Sequence, residues 1–167
     1  MNTKYTAKFL TDEGGSAGFY ILKESKSMGF KEFPTKTEAK FAYKTQKRLA
    51  KLGLAPKVYG KICKIKIEIT DFSIESTDWG FLTQIAKIRK RLSRKKIQTL
   101  VDNIYKKAKL SFWDCHEYNI GIINNKYVCI DTGKESFDSN CNSWGNTNPG
   151  PFCKECEKHC CSCGWIV

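Results

Sequence analysis

The sequence predicts an α+β protein in which a strand-rich first half is followed by a mostly helical second half. Over residues 3–33, apolar and polar side chains alternate and aromatic residues are frequent, which is typical of strands. Apolar residues recur every three or four positions over 36–52 and 84–110, which is the helical period. Two short apolar runs near residue 125 complete the pattern as a hairpin, with Asn124 and Asn125 at its turn.

The first half is predicted to contain a sheet and one helix. The strands YTAKFL, GFYILKE and GFKEF end at Pro34, since proline cannot donate to a strand ladder. The helix has Thr35 or Thr37 as its N-cap and ends at Gly53. An extended piece containing the alternating strand IKIEI follows, and then a loop at DFSIESTD and a short strand, WGFLTQ.

Length and composition restrict the class of function. The chain has 167 residues, of which 41% are hydrophobic and 13% aromatic, enough for about one folded domain with a core. No apolar run approaches the roughly 18 residues of a membrane span, and the amino terminus does not resemble a secretion signal. We therefore expect a cytoplasmic protein without a membrane partner. The net charge of +12 predicts an anionic partner such as a nucleotide, nucleic acid or acidic protein, with a solvated lysine surface as the alternative.

The nine cysteines are unevenly distributed. An odd number without a secretion signal argues against a disulfide framework. Cys63 and Cys129 lie in strand-like apolar runs, where we expect small buried side chains. Five cysteines and His159 crowd into residues 153–163, a density suited to Zn²⁺, an iron–sulfur cluster or, without metal, a reduced tail. The zinc interpretation takes Cys153 and Cys156 as one ligand pair. The second pair comes from His159, Cys160, Cys161, Cys163 or Cys141, and we select Cys160 and Cys163.

The run KIRKRLSRKK, residues 87–96, falls at the beginning of the predicted long helix. It is interpreted either as an anion-binding patch, for example for nucleic acid, or as the solvated side of a helix junction. Aromatic residues are not interleaved with these cations, so a stacking surface for nucleic-acid bases is not indicated.

The segments most informative about chemistry flank the hairpin: DCHEYN at 114–119 and DTG at 131–133. Asn119 and Asp131 stand at the outer ends of two paired strands, so we expect them side by side. Carboxylate and amide oxygens suit Mg²⁺, and this pair could share an ion that bridges nucleotide phosphates. Asp114 is then left to orient a substrate hydroxyl or to accept its proton.

This pattern resembles the protein-kinase-like superfamily, whose catalytic loop has an Asp, four residues and an Asn, and whose metal loop is Asp-Phe-Gly. Here Thr132 replaces the phenylalanine, and Phe112 and Trp113 precede the first Asp instead of His-Arg. The segment is closer to the Asp-Leu-His-x-x-Asn form of small atypical, bacterial and phage kinase-like proteins. The resemblance covers about residues 3–137 and implies an N-lobe at 1–83, a reduced helical C-lobe at 84–140 and a Cys-rich tail at 141–167.

The resemblance also implies residues that bind the nucleotide. Gly14, Gly15 and Gly18 lie between the first two strands, where kinases place the Gly-rich phosphate loop; a plain hairpin turn is the alternative.

Lys31 on the third strand resembles the phosphate-anchoring lysine, with Lys23 as the alternative and Glu38 as the helical partner. Phe81 and Leu82 resemble the apolar neighbours of adenine at the hinge.

Two neighbours within the 114–119 loop are interpreted as structural. Cys115 occupies an apolar position, and His116 is expected to hold the loop, with a catalytic base as the alternative. Residues so close in sequence do not face each other readily, so thiol catalysis is not indicated.

The resemblance implies an ATP-dependent, Mg²⁺-dependent phosphotransferase that acts on Ser or Thr of a protein. A non-catalytic kinase-like module that binds a protein partner is the first alternative. A basic, zinc-dependent nucleic-acid binder, suggested by the charge and the cysteines, is the second.

Overall fold

The computed structural model describes residues 4–11, 18–70, 73–88, 92–112, 114–137, 152–153 and 158–159. The chain divides into two compact units: Met1–Lys44 with Lys57–Ile85, and Thr45–Pro56 with Ala86–Val167. The division after residue 85 lies close to the predicted one after residue 83. It differs in that residues 45–56, the end of the first helix and the loop after it, belong to the second unit.

The first unit is built on a sheet whose neighbouring strands are antiparallel except for one parallel pair. In chain order the strands are β1 Lys4–Thr11, β2 Phe19–Leu22, β3 Met28–Phe33, β4 Val58–Cys63, β5 Lys66–Thr70, β6 Ser73–Ser76 and β7 Trp79–Gln84. Their order across the sheet is β4-β7-β3-β2-β1-β5-β6, with β1 and β5 parallel. The predicted α+β class is confirmed, and so is the meander of the first three strands.

Two segments of this sheet differ from the prediction. The single extended piece after Pro56 is two strands, β4 and β5, which are far apart in the sheet order. Lys64 and Ile65 separate the two strands, and the Ile65 N–H donates to Thr77 Oγ1 at 2.9 Å. DFSIESTD, expected as a loop, contains β6, which pairs with β5. Its Asp, Ser and Thr residues favour turns, but pairing with β5 satisfies the backbone and outweighs that local preference.

Helix α1, Lys36–Lys51, begins at a capping box. Glu38 N–H donates to Thr35 Oγ1 at 3.2 Å, and Thr35 N–H donates to the Glu38 carboxylate at 3.1 Å. Thr35 is therefore the N-cap, and the alternative, Thr37, is not. At the other end Gly53 adopts a φ of 70°, the left-handed conformation expected of a glycine that ends a helix.

Two apolar clusters lie on opposite faces of the first unit's sheet. One contains Leu22, Phe30 and Ile65. The other contains Phe33, Ala39, Ala42 and Phe81, two of which belong to α1. Successive residues of a strand point to opposite faces, so Lys31 lies on the face that α1 covers.

The second unit carries both predicted motifs. Its elements are α2 Arg94–Asn103, a π-helical stretch Ile104–Ala108, a 3-10 turn Glu117–Asn119, β8 Ile120–Ile123, β9 Lys126–Cys129 and α3 Lys134–Phe137. Strands β8 and β9 form the predicted hairpin, and Asn124 and Asn125 turn it with φ values of 49° and 62°. In the part of the chain that the structure describes, no helix has the length and apolarity needed to cross a membrane.

The helix predicted over 84–110 begins only at Arg94. Gln84 ends β7, and Lys87 forms an antiparallel bridge with Ile122, with N–H···O distances of 3.1 and 2.8 Å. This backbone pairing with the hairpin outweighs the helical period of the side chains. Within the described residues, only the last three positions of the basic run 87–96 are helical.

Three cysteines are predicted to occupy apolar positions, and two of them, Cys115 and Cys129, are buried. The third, Cys63, was expected to be buried and is only half-buried, where it packs against the first apolar cluster. Burial raises the pKa of the Cys63 thiol, which favours its neutral form.

Of the Cys-rich tail, the structure describes only a short hairpin: β10 Phe152–Cys153 paired with β11 Lys158–His159. Three of the four predicted zinc ligands, Cys156, Cys160 and Cys163, lie outside the described residues. Zinc binding by the tail stays a prediction.

Candidate active site

The two motifs meet at the open end of the β8–β9 hairpin, opposite its turn. Asn119 directly precedes β8, and Asp131 follows β9 after one residue. The Ile130 N–H donates to the Asn119 carbonyl at 2.9 Å, and the Asp131 N–H lies 3.5 Å from the same oxygen. The hairpin pairing therefore places Asn119 and Asp131 side by side.

The Asp114 carboxylate is held on both of its oxygens. Asn119 Nδ2 donates to Asp114 Oδ2 at 2.8 Å and to the Asp114 carbonyl at 3.0 Å. An amide nitrogen has two protons, and these two acceptors use both. His116 Nε2 lies 3.2 Å from Asp114 Oδ1, so we assign it the proton that it donates to that oxygen. The Asp114 side chain is still 40% exposed, so a substrate hydroxyl can reach it.

His116 thus contacts the other two polar residues of its loop. Its Nε2 also lies 3.0 Å from Asn119 Nδ2, but with these proton positions that contact is not a hydrogen bond. The three side chains form one cluster because Asn119 and His116 both donate to Asp114. The imidazole stabilises the position of Asp114, in agreement with the expectation that it holds the loop.

The side-chain oxygens of Asn119 and Asp131 are suited to bind a magnesium ion. Because Asn119 Nδ2 faces Asp114, Asn119 Oδ1 points the other way, and no donor among the described residues bonds to it. Asp131 Oδ1 accepts from the Gly133 N–H at 3.0 Å and Oδ2 from Ser136 Oγ at 2.6 Å. A carboxylate or amide oxygen can accept a hydrogen bond and bind a cation at the same time, so both residues can offer oxygen ligands.

No group of three or more His, Cys, Asp or Glu side chains suited to a metal ion occurs among the described residues. Asn119 and Asp131 amount to two protein ligands. Proteins usually bind Mg²⁺ through one or two side chains together with phosphates of the substrate, so Asn119 and Asp131 would be enough to hold the ion, which would supply positive charge beside the phosphates.

Ser136 is a site residue that the sequence reasoning missed. It lies on α3, is fully buried, and makes the short hydrogen bond to Asp131 described above. The bond from Gly133 closes a small turn, which the Asp-x-Gly spacing could have indicated. A Cβ at Gly133 would approach Asp131 Oδ1 to 3.3 Å, so the glycine also leaves room for the carboxylate.

A buried hydrogen bond ties the D-T-G segment to helix α1. Thr132 and Gln46 are 0% and 1% exposed, and Thr132 Oγ1 donates to Gln46 Oε1 at 3.3 Å. Gln46 Nε2 in turn donates to the Pro56 carbonyl at 3.2 Å. Thr132, the middle residue of this segment, therefore contacts the helix through a polar bond.

Replacing Thr132 with valine, which has nearly the same shape, removes this donor. We expect the free energy of unfolding to fall by about 1–3 kcal/mol, because a buried acceptor loses a partner. Urea denaturation measures the change. The control is Thr99→Val, at an exposed site of α2, where a change within roughly 0.5 kcal/mol is expected. The double variant Gln46→Leu with Thr132→Val should be more stable than the sum of the two single changes predicts, and strict additivity would contradict the link.

Among the predicted nucleotide residues of the first unit, Lys31 occupies a buried position. It is 8% exposed and lies on the face of the sheet that α1 covers, where its Nζ is 5.3 Å from the Phe33 ring centroid. Glu38, its predicted partner, uses its carboxylate in the capping box, where Thr35 Oγ1 also donates to it at 3.0 Å.

Phe81 does not lie where the hinge interpretation expects it. Its ring is fully buried, stacks on Phe33 at a centroid distance of 5.8 Å and meets the edge of Tyr43 at 5.5 Å. Leu82 is half-buried on the other face, against Phe30. The strand that carries both residues pairs with β3 and β4, so its backbone groups serve the sheet. Phe81 is therefore a core residue, and its assignment as a neighbour of adenine is wrong.

The predicted phosphate loop is described only at Gly18, because Gly14 and Gly15 lie outside the described residues. The Gly18 carbonyl accepts from the Glu32 N–H at 2.9 Å. A Cβ on Gly18 would stand 2.9 Å from the Glu32 carboxylate. The close approach of Glu32 explains why position 18 is a glycine. The negative charge of Glu32 beside it repels phosphate and so disfavours a phosphate-binding role for Gly18.

The cluster at the hairpin end can position a hydroxyl through Asp114 and hold a divalent cation through Asn119 and Asp131. No model of a known protein family and no curated protein matches the chain.

Proposed function

We propose that the chain is a kinase-like phosphotransferase that uses ATP and Mg²⁺ and transfers the γ-phosphoryl group to a Ser or Thr of a protein. The observation that carries the proposal is the position of Asn119. It is bonded to Asp114 through its side chain and to the segment of Asp131 through its carbonyl. The order Asp, Asn, hairpin, Asp is the order in which kinases present these groups.

In this proposal Asn119 Oδ1 and the Asp131 carboxylate hold the ion. When bound, Mg²⁺ supplies positive charge that offsets the negative charge of the phosphate oxygens.

Asp114 orients the acceptor hydroxyl and accepts its proton. Asn119 and His116 fix the carboxylate so that it does not have to be positioned anew for each substrate. Phosphoryl transfer depends mainly on position and on electrostatic stabilisation of the transition state, so a few such groups suffice.

The test is incubation of the purified chain with γ-labelled ATP and Mg²⁺. Label is expected on the chain itself or on a generic Ser/Thr acceptor protein, and chelation of the metal should abolish it. At a nucleotide concentration of about 100 times Kd, binding should stabilise the fold by roughly 2.7 kcal/mol, measurable as a thermal shift. A chain that neither transfers label nor gains stability from ATP with Mg²⁺ would reject the proposal.

A non-catalytic kinase-like module is the second candidate, and the capping box favours it. The carboxylate of Glu38 is bonded at the helix start, so the helical partner predicted for Lys31 has another role. Stabilisation by nucleotide without transfer of label would select this candidate. The third candidate, a nucleic-acid binder, has less support, because the basic run 87–96 is not one continuous helix.

A further inference from the structure

The second unit contains a groove of about 370 Å³ at the turn end of the β8–β9 hairpin, away from Asn119 and Asp131. Three segments line it: the loop after α1, one face of α2 with its π-helical continuation, and the hairpin turn. We call it the lysine groove, after the lysines that line it: Lys96, Lys107 and Lys126.

All the charged side chains that line the lysine groove are positive. The residues that line it include three lysines and no Asp or Glu. In the part of the chain that the structure describes, no carboxylate pairs with Lys96, Lys107 or Lys126. Asp102, also on α2, does not line the groove and accepts from Gln98 Nε2 at 2.8 Å. Three exposed ammonium groups around one concavity repel each other, and an anionic ligand relieves that repulsion.

The lysine groove also has an apolar part. Leu54 and Leu100 are buried in its wall, and Leu52 is 40% exposed. A ligand that complements both parts needs acidic groups beside an apolar side chain. A peptide segment provides this combination, and a groove of this volume accommodates one large side chain with its neighbours.

Nucleic acid fits the lysine groove less well. Its aromatic lining residue is Tyr127. The ring lies 5.6 Å from Lys96 Nζ, and the hydroxyl accepts from the Ser93 N–H at 3.2 Å, so the ring is held in place and already has a cation on it. Binding of single strands without sequence preference depends on aromatic platforms for the bases, which this groove does not offer.

We propose that the lysine groove docks an acidic segment of a partner protein, with an apolar side chain against Leu52 and carboxylates facing the three lysines. The inference does not depend on phosphotransfer, because the groove is at the other end of the hairpin from Asp114.

The probe is a set of fluorescein-labelled peptides of about 12 residues, a length that spans such a groove when extended. Each peptide consists of Asp and Glu with one Leu, and the position of the Leu differs from peptide to peptide. Binding is measured by fluorescence anisotropy at low and physiological salt. The best peptide is then titrated into the ¹⁵N-labelled full chain. Amide shifts are expected to be largest at 52–54, 96–107 and 125–127.

The decisive variant is Lys96→Glu/Lys107→Glu/Lys126→Glu, which should weaken peptide binding about tenfold or more, since several charge contacts become repulsive. The matched control, Lys57→Glu/Lys95→Glu/Lys106→Glu, changes the net charge equally at exposed lysines outside the groove, and should weaken binding much less. Leu52→Ser should also weaken binding. All the substitutions are at exposed positions, and thermal unfolding verifies that each variant folds.

Four results would overturn the proposal. Equal loss in the two triple variants would mean that the peptides respond only to the net charge of +12. Unchanged binding by Leu52→Ser would show that Leu52 does not contact an apolar side chain of the peptide. Absence of peptide binding by the native chain would show that the groove is not a peptide site. A groove variant that loses affinity for single-stranded RNA more than for the best peptide would assign the groove to nucleic acid.

Discussion

Replacing Asp114 with alanine is expected to lower the rate of phosphoryl transfer about 10²- to 10⁴-fold, the usual contribution of a positioned acid or base. Nucleotide affinity should change little, because Asp114 faces Asn119 and His116 and is not among the proposed metal ligands. Single-turnover transfer from γ-labelled ATP measures the first quantity. The thermal shift produced by ATP with Mg²⁺ measures the second.

The matched control is Asp102→Ala, which removes another exposed carboxylate of the same unit and should transfer at the native rate. Asp114→Asn keeps the shape of the side chain and removes its charge, so it separates loss of function from loss of fold. Transfer by Asp114→Ala at the native rate would show that Asp114 is not the residue that orients the hydroxyl.

In the native chain, Mg²⁺ is expected to increase the stabilisation that ATP provides. Replacing Asp131 with alanine is expected to abolish this Mg²⁺-dependent increase. The carboxylate is one of two proposed protein ligands, and a single remaining ligand, Asn119, holds a hydrated Mg²⁺ poorly. The measurement is the melting temperature with ATP, with and without Mg²⁺. The native chain should show a difference that Asp131→Ala does not.

Asp131→Ala also removes the hydrogen bonds from Gly133 and Ser136, so its fold will be less stable without any ligand. Ser136→Ala separates the two effects. It loses only the bond to Asp131 and should keep most of the metal-dependent shift. Glu135→Ala, at an exposed neighbouring carboxylate, should behave like the native chain. A metal-dependent shift that persists in Asp131→Ala would contradict the ligand assignment.

The features that sequence predicted best are set by neighbouring residues. The β8–β9 hairpin follows from alternation on both sides of Asn124 and Asn125, which tolerate the positive φ values found there. The proximity of Asn119 and Asp131 follows in turn, because residues at the outer ends of a hairpin are adjacent. The start of α1 was predicted to within two residues, with Thr35 or Thr37 as its N-cap. The spacing of Thr35 and Glu38, which is that of a capping box, could have selected Thr35.

The features that sequence did not predict depend on distant parts of the chain. Residues 84–88 have a helical period, yet Lys87 pairs with Ile122, a strand residue that local patterns cannot connect to it. Phe81 stands in an alternating strand, but alternation does not tell which face a helix will cover. The bond between Gln46 and Thr132 joins residues 86 positions apart, and no spacing rule indicates it.

The hydrogen bonds that Asn119 and His116 donate to Asp114 have a thermodynamic consequence for the proposed reaction. Their rotamers are fixed when the chain folds, so the side-chain entropy is lost once and not again at each turnover. A substrate that arrives at this loop meets a rigid template. The free energy of substrate binding is then set by the contacts that the substrate makes, because little of it is spent on rearranging these side chains.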